Sequence, residues 1–205
     1  SRINPEYAKQ HGIFFTDINL SKFALWYVHE YFEKKLSDNY IVFDPAGGSG
    51  NLVTSWKGHL KHKIVSELQP DLLKTIERRM RLTIEDDDEL LQAGYTIIPK
   101  TSENIGLNFL DRGATDYLDE LKKALAIKHL KIDKPLAFLL NPPYKNTDEN
   151  KQAREDTGAE YDINSDILEL TGADAGKERY LAFLGQIVNI AKAQNEENPD
   201  LNPVL

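Results

Sequence analysis

Tyr40-Ile-Val-Phe43, a β-branched and aromatic run, passes through Asp44 into Pro-Ala-Gly-Gly-Ser-Gly and then into a helical segment over Asn51 to His59. A strand that leads through a tight glycine turn into a helix can pair its successor only by a crossover. That commits the chain to a parallel sheet covered by helices, an α/β fold. The remaining sequence repeats the alternation. Lys63 to Ser66 reads as a strand and Pro70 to Leu82 as a helix with Pro70 and Asp71 in its first turn. Tyr95 to Ile98 and Ile105 to Phe109 read as short strands, Asp116 to Leu130 as a helix, and Leu136 to Leu140, bounded by Pro135 and Pro142, as a strand buried on both faces. Glu85-Asp-Asp-Asp-Glu89 is expected to open a helix reaching Ala93, where carboxylates suit the positive end of the helix dipole.

Ahead of the first strand, Ser21 to Lys35 carries Phe23, Ala24, Trp26, Tyr27, Tyr31 and Phe32 at helical spacing, with Ser21 as the expected N-cap. We therefore expect an N-terminal helical segment over residues 1–39 and a Rossmann-like domain, with a mostly parallel sheet, over 40–205. Residues 145–178 are dense in Asp, Glu, Asn, Lys and Gly and read as a polar loop; Tyr180 to Ala193 regains helical spacing through Leu181, Phe183, Leu184, Ile187, Val188 and Ile190. Asn202-Pro-Val-Leu205 looks like a strand just beginning, and the first residue is Ser, so a fragment of a longer protein lacking its later strands is expected.

Composition narrows the function. The 205 residues are 40% hydrophobic, enough for a sizeable core. No apolar run approaches the roughly 18 residues of a membrane span, and no basic-then-apolar signal opens the chain, so a soluble, cytoplasmic protein with no membrane partner is expected. The absence of cysteine excludes disulfides, thiolate metal sites and a cysteine nucleophile, and His11, His29, His59, His62 and His129 form no recognisable ligand set; no metal is expected. The net charge of −8 is unevenly spread: residues 1–82 hold 12 Lys and Arg against 9 Asp and Glu, residues 83–205 hold 13 against 24. Clustered phosphate contacts are not expected from this chain.

The chemistry concentrates at three places. Gly47, Gly48 and Gly50 permit positive φ and let a ligand approach the backbone. A dinucleotide fingerprint would put a small residue three positions after Gly50, where Val53 stands, and a phosphate-binding loop would close on Gly-Lys-Ser/Thr, where Gly50-Asn51-Leu52 stands. Neither fits. Glu67, at the end of the second strand, suits a carboxylate that grips ribose hydroxyls. At Asn141-Pro-Pro-Tyr144, two residues without backbone N–H groups stop the ladder and leave polar groups at the carboxyl end of a strand.

In that order these stretches resemble the motifs of S-adenosylmethionine-dependent DNA adenine-N6 methyltransferases of the type I modification-subunit or γ-class kind. "GIFFTD" (12–17) is similar to the family's N-terminal motif, with Asp17 where Pro is usual. "DPAGGSG" (44–50) resembles its cofactor motif, with Gly47 in place of Cys, and "NPPY" (141–144) matches its catalytic motif; "LNFL" (107–110) has Asn108 where Asp is common. The resemblance spans roughly residues 12–144. It implies methyl transfer from S-adenosylmethionine to adenine N6 in a restriction-modification setting. Asn141, Pro142, Pro143 and Tyr144 would be catalytic, with Asn141 Oδ1 and the Pro142 carbonyl accepting from the amine and Tyr144 stacking on a flipped base. Phe15 and Thr16 would cover the methionine part, Asp44 would hold its amino group within the turn of Pro45, Ala46, Gly47, Gly48 and Gly50, Glu67 the ribose, and Asn108 and Phe109 would frame the adenine. DNA is the implied partner, mainly through regions outside this chain, together with specificity or endonuclease subunits. Methylation of a protein glutamine or of RNA, and a cofactor-binding subunit without turnover, stand as alternatives.

Overall fold

The computed structural model describes residues 15–31, 39–54, 62–85, 95–103, 105–143, 163–172, 175 and 178–201. In chain order the elements are α1 (Ile18–Tyr31), β1 (Ile41–Asp44), α2 (Asn51–Thr54), β2 (His62–Val65), α3 (Pro70–Glu85), β3 (Tyr95–Ile97), α4 (Ala114–Ala126), β4 (Leu136–Phe138), α5 (Ser165–Thr171) and α6 (Arg179–Glu197). The four strands pair in parallel in the order β3-β2-β1-β4. Phe43 stands between Ile64 of β2 and Phe138 of β4, which places β1 at the centre. From β1 the chain works outward through β2 to β3, then returns to set β4 on the other edge of β1.

The pleat sends alternate residues to opposite faces, and each face has its own helices. Ile41, Phe43, Ile64, Ile97 and Leu136 pack with Tyr117, Leu118, Leu121 and Leu125 of α4 and with Ala182, Phe183 and Ile190 of α6. On the opposite face Val42 and Ala137 meet Leu25 of α1, while Val65 meets Val53 of α2 and Ile76 of α3. All four residues of β1 are buried, as an unalternating apolar strand requires.

The structure revises several boundaries. Asp17, not Ser21, caps α1: its Oδ1 accepts from Asn19 N at 2.8 Å and Leu20 N at 3.2 Å. Ser21 lies inside the helix and its hydroxyl donates to Asp17 O at 3.0 Å. The Asp17 side chain satisfies two orphan N–H groups of the first turn, so the helix starts one turn earlier. The residue of α1 that reaches the core is Leu25, whereas Phe23, Trp26, Tyr27 and Tyr31 are exposed. Glu85 ends α3 rather than opening a helix; residues 86–94 lie outside the described residues.

No strand forms over 105–109. Gly106 makes an isolated antiparallel bridge with Lys100, and a Cβ on Gly106 would lie 1.7 Å from Glu67 O. Close backbone packing against the end of β2, held by Ser66 Oγ donating to Leu107 O at 3.3 Å, replaces ladder pairing there. The polar stretch is helical in part: Asn164 caps α5 by accepting from Asp166 N at 2.9 Å, and Ile167 is fully buried. Its helix packs on Gly185 of α6, where a Cβ would meet Ile167 Cγ2 at 3.2 Å and Thr171 Cγ2 at 2.7 Å. The terminal stretch 202–205 lies outside the described residues.

Candidate functional site

β1 ends at Asp44, and the turn that follows is stitched to the end of β2. Ser66 N donates to Asp44 O at 2.8 Å, and Gly47 N returns the bond to Ser66 O at 2.8 Å. Asp44 Oδ1 accepts from Ala46 N at 3.1 Å, which bends the backbone away from the strand. Gly48 and Gly50 sit at φ 56° and 79°, left-handed values that suit glycine. Gly47 is required by space instead: a Cβ there would come within 2.6 Å of Val65 Cγ1 and 3.1 Å of Ile76 Cδ1. Pro45 is buried within the turn.

Two carboxyls are buried beside this turn. Asp44 is 1% exposed and its pKa is pushed up to about 8, mainly because burial strips water from the charged form. The Ala46 N–H opposes that rise and the charge of Glu67 adds to it. Glu67 is 7% exposed, and burial raises its pKa too, against backbone N–H groups that favour its ionised form. Glu67 Oε2 accepts from Gly48 N at 2.7 Å and Oε1 from Gln69 N at 2.8 Å, so the side chain spans from β2 to the glycine turn of β1. No Lys or Arg among the described residues forms an ion pair with either acid. Asp44 lines a cleft beside this turn, and Glu67 bonds to the turn that borders it.

The cleft itself is lined by Phe15, Thr16, Asp44, Ala46, Gly47, Gly48, Ser49, Asn51, Leu52 and Asn141. Its volume, about 20 Å³, is close to that of a single water. Phe15 lies across its mouth, with Cδ1 3.7 Å from where a Cβ of Gly48 would be. Asn141 arrives from β4, whose last bond to β1 is Leu139 N to Phe43 O at 3.0 Å before Pro142 and Pro143 interrupt the backbone donors. Asn141 Nδ2 donates to Thr16 Oγ1 at 3.1 Å, and Asn51 Nδ2 donates to Thr16 O at 2.8 Å.

Of the expected residues, the cleft gathers Phe15, Thr16, Asp44, Ala46, Gly47, Gly48 and Asn141. Glu67 and Gly50 do not line it but bond to the turn that does, Glu67 Oε2 accepting from Gly48 N and Gly50 N donating to Gly47 O, and Pro142 and Pro143 follow Asn141 in the chain. Tyr144 lies outside the described residues. Asn108 and Phe109 are directed elsewhere. Asn108 Oδ1 accepts from Leu110 N at 3.1 Å, and the Phe109 ring is only 2% exposed, stacked on Phe183 at 5.0 Å and edge-on to Tyr117 at 5.1 Å. Phe43 and Phe138 complete the aromatic cluster around that ring.

Ser49, Asn51 and Leu52 also line the cleft, and Arg79 of α3 supports it from outside. Arg79 Nη1 donates to Ser49 O at 2.7 Å and also to Asn51 Oδ1. The polar Asn51 directly after the last glycine was a readable signal for the first group; nothing in the sequence pairs Arg79 with it. Among the described residues no three His, Cys, Asp or Glu side chains gather as a metal-ligand set, and no helix is long and apolar enough to cross a membrane. No protein-family model matches this chain, and no curated protein matches it.

Proposed function

We propose that this chain carries the cofactor and catalytic corner of an S-adenosylmethionine-dependent N-methyltransferase acting on adenine N6 of DNA. The observation that carries the reading is the meeting, in one cleft, of Asn141 from the end of β4 with Asp44 and the glycine turn from the end of β1. In an open parallel sheet of order 3-2-1-4 the ligand crevice lies outside the carboxyl ends of the strands where the order reverses, between β1 and β4. That order supports a Rossmann-like reading of the sheet.

The donor set fits the cofactor. Asp44 is placed to take an ammonium group, whose charge would hold the carboxyl ionised, and Glu67 retains lone pairs for ribose hydroxyls. Gly48 keeps the turn free of side chains under the Phe15 ring. A ligand of that size needs a pocket of several hundred Å³, so admitting it means moving the Phe15 side chain outward from the cleft. Phe15 is 41% exposed, a cover light enough to move, whereas Thr16 is held by two side-chain hydrogen bonds.

When bound, S-adenosylmethionine supplies an electrophilic methyl on a sulfonium. The chain's part is to make the amine a nucleophile. The lone pair of an adenine amino group is delocalised into the ring. Asn141 Oδ1 and the Pro142 carbonyl, accepting its two N–H bonds, would draw the nitrogen towards tetrahedral geometry and localise that pair. The successive rings of Pro142 and Pro143 restrict the backbone that aims the second acceptor. DNA engagement is assigned mainly to regions beyond this chain, in keeping with its acidic balance, with restriction-modification as the setting and the cytoplasm as the compartment.

The test is calorimetric titration with S-adenosylmethionine alongside Asp44→Ala, then transfer of labelled methyl to adenine-containing duplex DNA with Asn141→Ala as control. Binding lost in the first variant and transfer lost in the second are expected. Binding without transfer to DNA, RNA or protein would favour a cofactor-binding subunit. Absence of binding at millimolar ligand would overturn the reading.

A further inference from the structure

A hydrogen-bonded relay joins four elements around the cleft. Arg79 on α3 donates to Asn51 Oδ1 and to Ser49 O, Asn51 at the start of α2 donates to Thr16 O, and the Thr16 hydroxyl accepts from Asn141 Nδ2. Each step is between a side chain and a group far away in sequence. From these contacts we infer that Thr16 is a positioning residue for Asn141, and that Asn51 and Arg79 fix Thr16 for that task. The inference rests on the methyltransferase reading above for its effect on turnover, but not for the contact itself.

The physical reason lies in the symmetry of an amide. The oxygen and nitrogen of an Asn side chain have nearly the same shape, and rotation about the last bond exchanges them. An Asn that must offer its oxygen to a substrate amine therefore needs a partner that holds the side chain in one place and one orientation. Accepting from Nδ2, Thr16 Oγ1 holds the nitrogen end towards the N-terminal segment and so leaves Oδ1 as the opposite end of the amide. A hydroxyl on an untethered segment would do this poorly. Asn51 removes that freedom by binding the carbonyl of the same residue, and Arg79, donating to Asn51 Oδ1, fixes in turn which end of the Asn51 amide faces Thr16. The same segment carries Phe15 over the cleft, so the cover and the orientation of Asn141 are set together.

Substitutions at Thr16 separate this role from simple coverage. Thr16→Val keeps the shape and the backbone carbonyl but removes the hydroxyl; Thr16→Ser restores the acceptor. With ¹⁵N-labelled protein, the Asn141 side-chain amide signal, identified by its loss in Asn141→Asp, is expected to move in Thr16→Val and to return in Thr16→Ser. Arg79→Ala, outside the cleft lining, is expected to move it in the same direction by less. For methyl transfer, kcat is expected to fall by about tenfold to a hundredfold in Thr16→Val, the loss that misplacing a reacting group by about 1 Å produces. The loss of affinity for S-adenosylmethionine should be smaller than the loss of kcat, and Thr16→Ser should recover most of kcat. An Asn141 signal unchanged in Thr16→Val would overturn the inference. So would weaker cofactor binding at unchanged kcat, which would make Thr16 a cover only. If the unaltered chain neither binds the cofactor nor transfers methyl, the functional reading falls by itself, and the amide signal still decides whether Thr16 orients Asn141.

Discussion

Replacing Asp44 by Asn should make the ligand-free protein more stable in mild alkali and less stable in acid below about pH 4. In the fold Asp44 holds its proton up to about pH 8, whereas its ordinary value is 3.8. Between those limits the folded state binds the extra proton, so its stability falls as pH rises. The contribution is complete below about pH 4 and lost above about pH 8. The slope approaches about 1.4 kcal/mol per pH unit, and over about four units the ceiling is about 5 kcal/mol. The amide introduced by Asp44→Asn would be neutral throughout and could keep the oxygen that accepts from Ala46 N. Its buried amino group costs about 1–3 kcal/mol wherever it lacks a partner. The variant should therefore lose about 1–3 kcal/mol at about pH 3.5 and gain about 2–4 kcal/mol at about pH 8.5. Urea unfolding at both pH values, with equal m-values, reads this directly. Glu67, raised by burial as well, should leave a residual slope in the variant. An equal change in stability at both pH values would refute the claim that Asp44 is protonated in the ligand-free fold.

Gly47→Cys, which restores the residue usual in the family the motif resembles, should cost about 1–3 kcal/mol in urea unfolding. Val65→Ala should recover part of it, because the new Cβ lies 2.6 Å from Val65 Cγ1. Gly106→Ala must push the 105–110 segment off Glu67 O and should cost about 2–4 kcal/mol, with weakened S-adenosylmethionine binding in calorimetry. Gln186→Leu strips donors from Phe109 O and Arg112 O, bonded at 3.0 and 2.9 Å, and should cost about 2–4 kcal/mol at unchanged helicity by circular dichroism.

What could be read from the chain beforehand was what neighbouring residues decide together. A β-branched run, a glycine turn and an apolar helix start are adjacent, so β1, its turn and α2 were legible, as was Pro70 at the start of α3; β4 ends at Phe138, earlier than the expected stop beside Pro142. The meeting of Thr16, Asp44 and Asn141 was legible only through the resemblance, since spacing along the chain does not fix distance between strand ends. Choices settled by competition were not legible. Asp17 and Ser21 both suit a cap, and the carboxylate prevails. Ile105 to Phe109 has the composition of a strand, yet Gly106 lies so close to the Glu67 backbone that a ladder there is displaced. Phe109 looks the same in sequence whether it faces a ligand or Phe183. Arg79 and Asn51 meet across 28 positions, a contact that no local pattern announces.

The place of β4 has a consequence for how the chain is made. Ile41 of the central strand pairs with Leu136, so for the whole interval between their synthesis β1 has a partner on one side only. At about 5–20 residues per second that interval lasts roughly 5–20 s on the ribosome, with an apolar strand edge open throughout. Every contact of β4 is therefore a late, long-range event, and folding should be slow and limited by that docking. Asn141 and the prolines follow β4 directly, so the cleft can assemble only in the same last step: a nascent chain that has not closed its sheet has no site either.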